Sequence, residues 1–79
     1  MINIFKRKLK TDRQMEIEDI KKDIKECEFL LSRNDIIFNM AVDEKLIESK
    51  IYEREALLHQ YDYLVTQLRE KQKEAVTVE

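Results

Sequence analysis

The sequence predicts an all-α fold: an antiparallel two-helix hairpin of coiled-coil character, assembling into a four-helix arrangement. Three observations predict it. The 79 residues contain no Gly and no Pro, charged residues make up 41%, and the apolar residues recur at steps of three and four. Sheets and glycine-rich phosphate loops do not fit that composition. A chain of this length forms one domain at most, and its burial fraction lies at the marginal end for a single core, so assembly is an expected source of further stability.

Residues 1–10, MINIFKRKLK, read as a disordered basic arm. Net charge is only -2, yet Lys6, Arg7, Lys8, Lys10 and Arg13 against Asp12 give the first fourteen residues +4, which leaves -6 for the rest. The arm is either a solubilising tail or, through Lys6, Arg7, Lys8 and Lys10 interleaved with Ile2, Ile4, Phe5 and Leu9, a contact for an anionic membrane surface or nucleic acid. Its charges interrupt the apolar core that a signal peptide needs, and no later segment approaches membrane-spanning length. A single cysteine, Cys27, excludes an internal disulfide framework and a multi-thiolate zinc site within one chain. A cytoplasmic protein is expected.

The hairpin is expected over residues 11–74. Its first helix spans about 11–39 and starts at TDRQ, where Thr11 caps and Gln14 reaches back as in a capping box. Ile17, Ile20, Ile24, Cys27, Leu31, Asn34, Phe38 and Ala41 then follow alternating steps of three and four, the spacing of a seam that faces a partner helix. Asn34 is its one polar member and either specifies register or marks a loosened turn. A break at Asn34-Asp35, giving three helices, is the alternative architecture.

The turn is placed at about 39–43, in NMAVD. Asn39 tolerates a left-handed conformation, Asp43 caps the next helix, and Val42 and Ile47 stand at the positions of a hydrophobic staple. The second helix, about 43–73, carries Ile47, Ile51, Leu57, Leu58, Tyr61, Leu64, Val65 and Leu68 on one wide stripe and frays in KQKEAVTVE, leaving a tail at 75–79. Two helices of roughly 28 to 31 residues are each about 42 to 46 Å long at 1.5 Å per residue. Arg54 interrupts this stripe close to Leu31, with Glu28 and Asp35 one turn to either side. It forms a register-fixing salt bridge or, the favoured reading, packs its stem and sends its head to water.

At about 100° per residue, Tyr61 falls in the core stripe, while Tyr52, Ala56, His59 and Tyr63 cluster on the opposite side of the second helix. Phe29, Ile36 and Met40 likewise lie away from the seam of the first, with Leu30 and Ile37 flanking it. A two-helix hairpin cannot cover these second faces, so Phe29, Ile36, Met40, Tyr52, His59 and Tyr63 form a candidate interface. Self-association, with a dimer favoured, is the leading use; a different protein partner and simple exposure are the others.

Little in the sequence points to a reaction. His59 has Glu55 four residues before it and Asp62 three after, but one imidazole on an open helix surface lacks a pocket and an orienting shell. Cys27 on the seam reads as a small buried hydrophobe, since a nucleophile needs exposure and a base. The carboxylates alternate with lysines as a solvated helix surface, as in EIEDIKKDIKE. No catalytic residue, metal ligand or cofactor is expected, and the chain reads as a non-enzymatic interaction module.

The stretch FNMAVDEKLIESKIYEREALLHQYDYLV, residues 38–65, resembles the YaaL-like family of small bacterial proteins in Asp43, Leu46-Ile47, Ile51-Tyr52, Ala56 and the Tyr61-to-Leu64 ending. The likeness extends less distinctly through the first helix and the basic N-terminus. The family has no established activity, and the resemblance implies a bacterial, cytoplasmic setting rather than a mechanism. Small two-helix sporulation phosphatases offer a rival likeness, but they act through a Ser-Gln-Glu-Leu-Asp motif that the corresponding IESKIYEREALL lacks.

Overall fold

The structure, a computed structural model, describes residues 12–78, with the side chains of 12–74. Two helices account for nearly all of it. The first, α1, is Asp12–Met40 and has 29 residues; the second, α2, is Glu44–Val78 and has 35. No strand occurs among the described residues. The helix α1 is continuous through Asn34 and Asp35, so the three-helix alternative does not form.

Residues 41–43 turn the chain without a left-handed residue. No described residue has positive φ, which corrects the role expected for Asn39. Instead, the Ala41 amide donates to the Phe38 carbonyl at 3.2 Å, a tight last turn that closes α1 within its own backbone. Asp43 then starts α2 as expected: its Oδ1 accepts the Leu46 amide at 3.0 Å, and its carbonyl accepts the Ile47 amide at 3.0 Å. The charge of Glu44 in the first turn complements the helix dipole. The staple does not close, because Val42 is 93% exposed and covers nothing. Thr11, and with it the capping box, lies outside the described residues, as does the arm carrying Lys6, Arg7, Lys8 and Lys10.

The helices run antiparallel in one steady register. Cross-helix bonds join residues separated by 16 positions near the turn (Asn34 and Lys50), 30 at mid-height (Cys27 and Leu57) and 61 at the open end (Arg13 and Glu74). Most of the expected seam of α1 is the observed one: Cys27 and Asn34 are buried, and Ile17, Ile20, Ile24 and Leu31 are half-buried, whereas Phe38 is exposed at its margin and Ala41 lies past the end of the helix. On α2, Leu64 is buried, and Ile47, Leu57, Tyr61, Val65 and Leu68 are half-buried. Ile51 and Leu58, expected in the stripe, sit exposed at its margin. The helix α2 also continues to Val78, past the expected end near residue 73. Its KQKEA segment consists largely of good helix formers and is extended readily by one hydrogen bond per residue.

Candidate functional site: the polar seam and the uncovered faces

Two seam residues of α1, one heptad apart, cross to the backbone of α2. The Cys27 thiol donates to the Leu57 carbonyl at 3.2 Å, and the Asn34 Nδ2 donates to the Lys50 carbonyl at 2.9 Å. Their acceptors are also seven residues apart, so the two contacts repeat one layer geometry. Both side chains are short and almost fully enclosed, Asn34 at 3% exposure. Asn34 Oδ1 is buried with no partner. Cys27 is held protonated by its surroundings: burial raises its pKa, and the charge of Glu28 adds to the effect. A buried thiol of raised pKa is a poor nucleophile.

Around this seam lie charged contacts on exposed or half-buried side chains. Arg54 Nε donates to Asp35 Oδ1 at 3.0 Å, so the salt bridge forms where a snorkelling head was the favoured expectation. The reason is register: Asp35 lies about one turn along α1 from the level of Arg54, a distance the long arginine side chain spans. Tyr61, inward as expected, directs its hydroxyl to Glu28 Oε2 at 3.4 Å. At the open end Lys71 meets Glu16 at 2.9 Å and Arg13 meets Glu74 at 3.8 Å. The hydrogen bond and charge of Lys71 lower the Glu16 pKa, and those of Glu16 raise that of Lys71.

The candidate interface residues do not converge on a pocket; they form an uncovered surface. Phe29, Ile36, Met40, Tyr52 and Tyr63 are between 58% and 76% exposed, and His59 is exposed beside them. Grooves run along both flanks of the seam. One, of about 430 Å³, has Leu30, Arg33, Ile37 and Ala56 in its walls and Asn34 among its lining residues. The other, of about 560 Å³, lies between Asp35, Phe38 and Asn39 of α1 and Ile51, Arg54 and Glu55 of α2. The grooves and the contribution of Asn34 and Cys27 to backbone contacts were not foreseen from sequence. The signal that was available is their shared heptad position.

Among the described residues no group of three or more His, Cys, Asp or Glu is placed to hold a metal ion, and no helix is long and apolar enough to cross a membrane. Comparison with family models, curated proteins and solved structures gave no match to this chain. The fold and surface therefore define a class, the all-α helical hairpin, and the functional reading rests on the surface itself.

Proposed function

We propose that this chain is a non-enzymatic interaction module of the cytoplasm that self-associates, as a dimer of hairpins in a four-helix arrangement. The interface is formed by Phe29, Ile36, Met40 and Tyr52, with His59 and Tyr63 extending it. The observation that carries the reading is an imbalance of burial. Among the described residues only Cys27 and Leu64 are buried apolar side chains, whereas twelve large apolar side chains are exposed. A hairpin with so small a core gains most by covering those faces. The YaaL-like resemblance of residues 38–65 agrees with a small helical protein of this kind.

Light scattering over a wide concentration range tests it. The wild-type chain is expected at twice its monomer mass, and Ile36→Asp or Tyr52→Asp to return it to monomer with little loss of helical circular dichroism. Wild-type protein that stays monomeric at high concentration refutes the assembly.

A second reading follows from the charge asymmetry of the sequence, in which the basic arm tethers the hairpin to an anionic membrane surface or nucleic acid. It requires binding that falls with salt and disappears on deletion of residues 1–10.

A further inference from the structure

The flank of the hairpin that holds the Leu30 groove changes character along its length. On α1, Asp19, Asp23, Glu26, Leu30, Arg33 and Ile37 follow alternating steps of four and three, so they share one side of the helix. Near the turn this row is largely apolar: Leu30 and Ile37 wall the groove of about 430 Å³ together with Ala56 and Leu57. Towards the open end it is acidic. Asp19, Asp23 and Glu26 are exposed and make no ion pair among the described residues, whereas Glu16 and Glu74 beyond them have Lys71 and Arg13. From Ala56 the same steps on α2 lead to Gln60, Tyr63 and Gln67, none of them a cation.

We infer that residues 2–10 of the same chain fold back along this flank in extended form, with Ile2 and Ile4 in the groove and Lys6 and Lys8 along the acidic row. Alternate residues of an extended segment share a face, so Ile2, Ile4, Lys6, Lys8 and Lys10 turn together to the hairpin. Counted away from Asp12, that face is basic and then apolar, while the flank is acidic and then apolar. The two match in order as well as in charge. The first five residues carry no charged side chain, so they meet Arg33 at the groove without repulsion.

Length selects the extended form. Ile2 is ten residues from Asp12, about 33 Å at 3.3 Å per extended residue, and Leu30 is eighteen residues from Asp12, about 27 Å along the helix. The surplus of about two residues serves to reverse the chain before Asp12. A helical segment of the same length spans only about 15 Å and stops short of the groove. Tethering favours this occupant over a second copy or a separate protein, because a short connection holds the segment at high effective concentration. The docking does not depend on the self-association proposed above. It occupies the cations of the basic arm, so an anionic surface competes with the hairpin for them.

Intramolecular cross-linking of the full chain tests the docking. In a Cys27→Ser background, Ile4→Cys is combined with Ala56→Cys or with Leu58→Cys and oxidised mildly at high dilution. Ala56 lines the Leu30 groove, whereas Leu58 lies one heptad from Ile51 of the opposite groove, so the two positions share a level but not a flank. The disulfide to position 56 is expected to form about tenfold faster at low salt, the combined effect of a few exposed ion pairs and two apolar contacts. Its product should have the mass of one chain. High salt, or Asp19→Asn with Asp23→Asn and Glu26→Gln, should remove most of the preference. Circular dichroism checks that each variant keeps its helices. As a second measure with no added cysteine, trypsin should cut after Lys6 and Lys8 more slowly in the wild-type chain than in the chain with the neutralised row. Equal rates to the two flanks, or no disulfide to either, overturn the inference. A preference that survives both salt and neutralisation overturns the charge match, and product of two-chain mass places the arm on a second copy and overturns docking within one chain.

Discussion

The side-chain amide of Asn34 donates to the carbonyl of Lys50 across the hairpin at 2.9 Å, while the oxygen of the same amide is buried with no partner. One residue thus both ties the helices together and leaves an acceptor dehydrated. An unsatisfied buried polar group costs about 1–3 kcal/mol, and one neutral hydrogen bond returns about 1 kcal/mol. We expect Asn34→Leu, which keeps the branched shape though with larger methyl groups, to raise unfolding stability by on the order of 1 kcal/mol. Register should become less unique, as when a polar seam residue is lost from a coiled coil. Urea denaturation and the number of amide resonances report the two effects; a lowered midpoint would show that the Lys50 contact outweighs the orphaned oxygen.

Asp43 makes a turn without glycine workable, because its side chain occupies the Leu46 amide at 3.0 Å. Asp43→Ala is expected to cost about 0.5–2 kcal/mol, as for other N-cap losses. Asp43→Asn should retain most of the stability, and faster hydrogen exchange at Leu46 in the alanine variant localises the loss to the cap.

The Arg54 and Asp35 pair is well formed but about half exposed on both sides, so its contribution is limited. A double-mutant cycle with Arg54→Ala and Asp35→Ala should give a coupling of about 0.2–1 kcal/mol that shrinks with added salt. A coupling well above this range would mean that the contact is shielded from water by an assembled neighbour.

Cys27 should react with a thiol reagent far more slowly in the folded chain than in urea, since the sulfur is enclosed and bonded to the Leu57 carbonyl. Its folded pKa lies above the ordinary value of 9.0, chiefly through burial. The stability from keeping this thiol neutral is fully present below pH 9.0 and is lost as pH rises through the raised folded value. Cys27→Ala should remove this part of the alkaline dependence, which denaturation midpoints measured on both proteins from neutral to alkaline pH will show.

At the open end, Glu16→Gln should quicken amide exchange around residues 13–17 and 70–74 while the global midpoint changes little, because the Glu16–Lys71 pair faces solvent. Glu16 has a lowered pKa, so its contribution is present above its ordinary value of 4.5 and fades as pH falls through the lower folded value. Lys71 has a raised pKa, so its contribution is present below 10.5 and fades as pH rises through the higher folded value. Local exchange that does not respond to either pH limit would mean that the pair does not hold this end closed.

Much of the fold was legible because helical periodicity is a property of the chain alone. The steps through Ile20, Cys27 and Asn34 placed the seam, and the angles of Tyr52, Tyr61 and Tyr63 separated the inward tyrosine from the outward two. Asp43 was legible as a cap because the requirement is local, one acceptor three residues before an unsatisfied amide. Asn39 misled for a related reason: its tolerance of left-handed backbone is a capability, and the Ala41–Phe38 hydrogen bond closes the helix without using it.

What the sequence determined by itself is therefore the phase of each helix, the place of the turn and the existence of two apolar faces that one hairpin cannot cover. Tertiary structure alone decided the contacts whose energy depends on the facing backbone. Whether Asn34 finds one partner or two, whether Cys27 meets a carbonyl, and whether Arg54 reaches Asp35 or water all turn on a register set by the whole seam. Periodicity records direction around a helix but carries no distance to the next one, and hydrogen bonds and ion pairs are decided by distance.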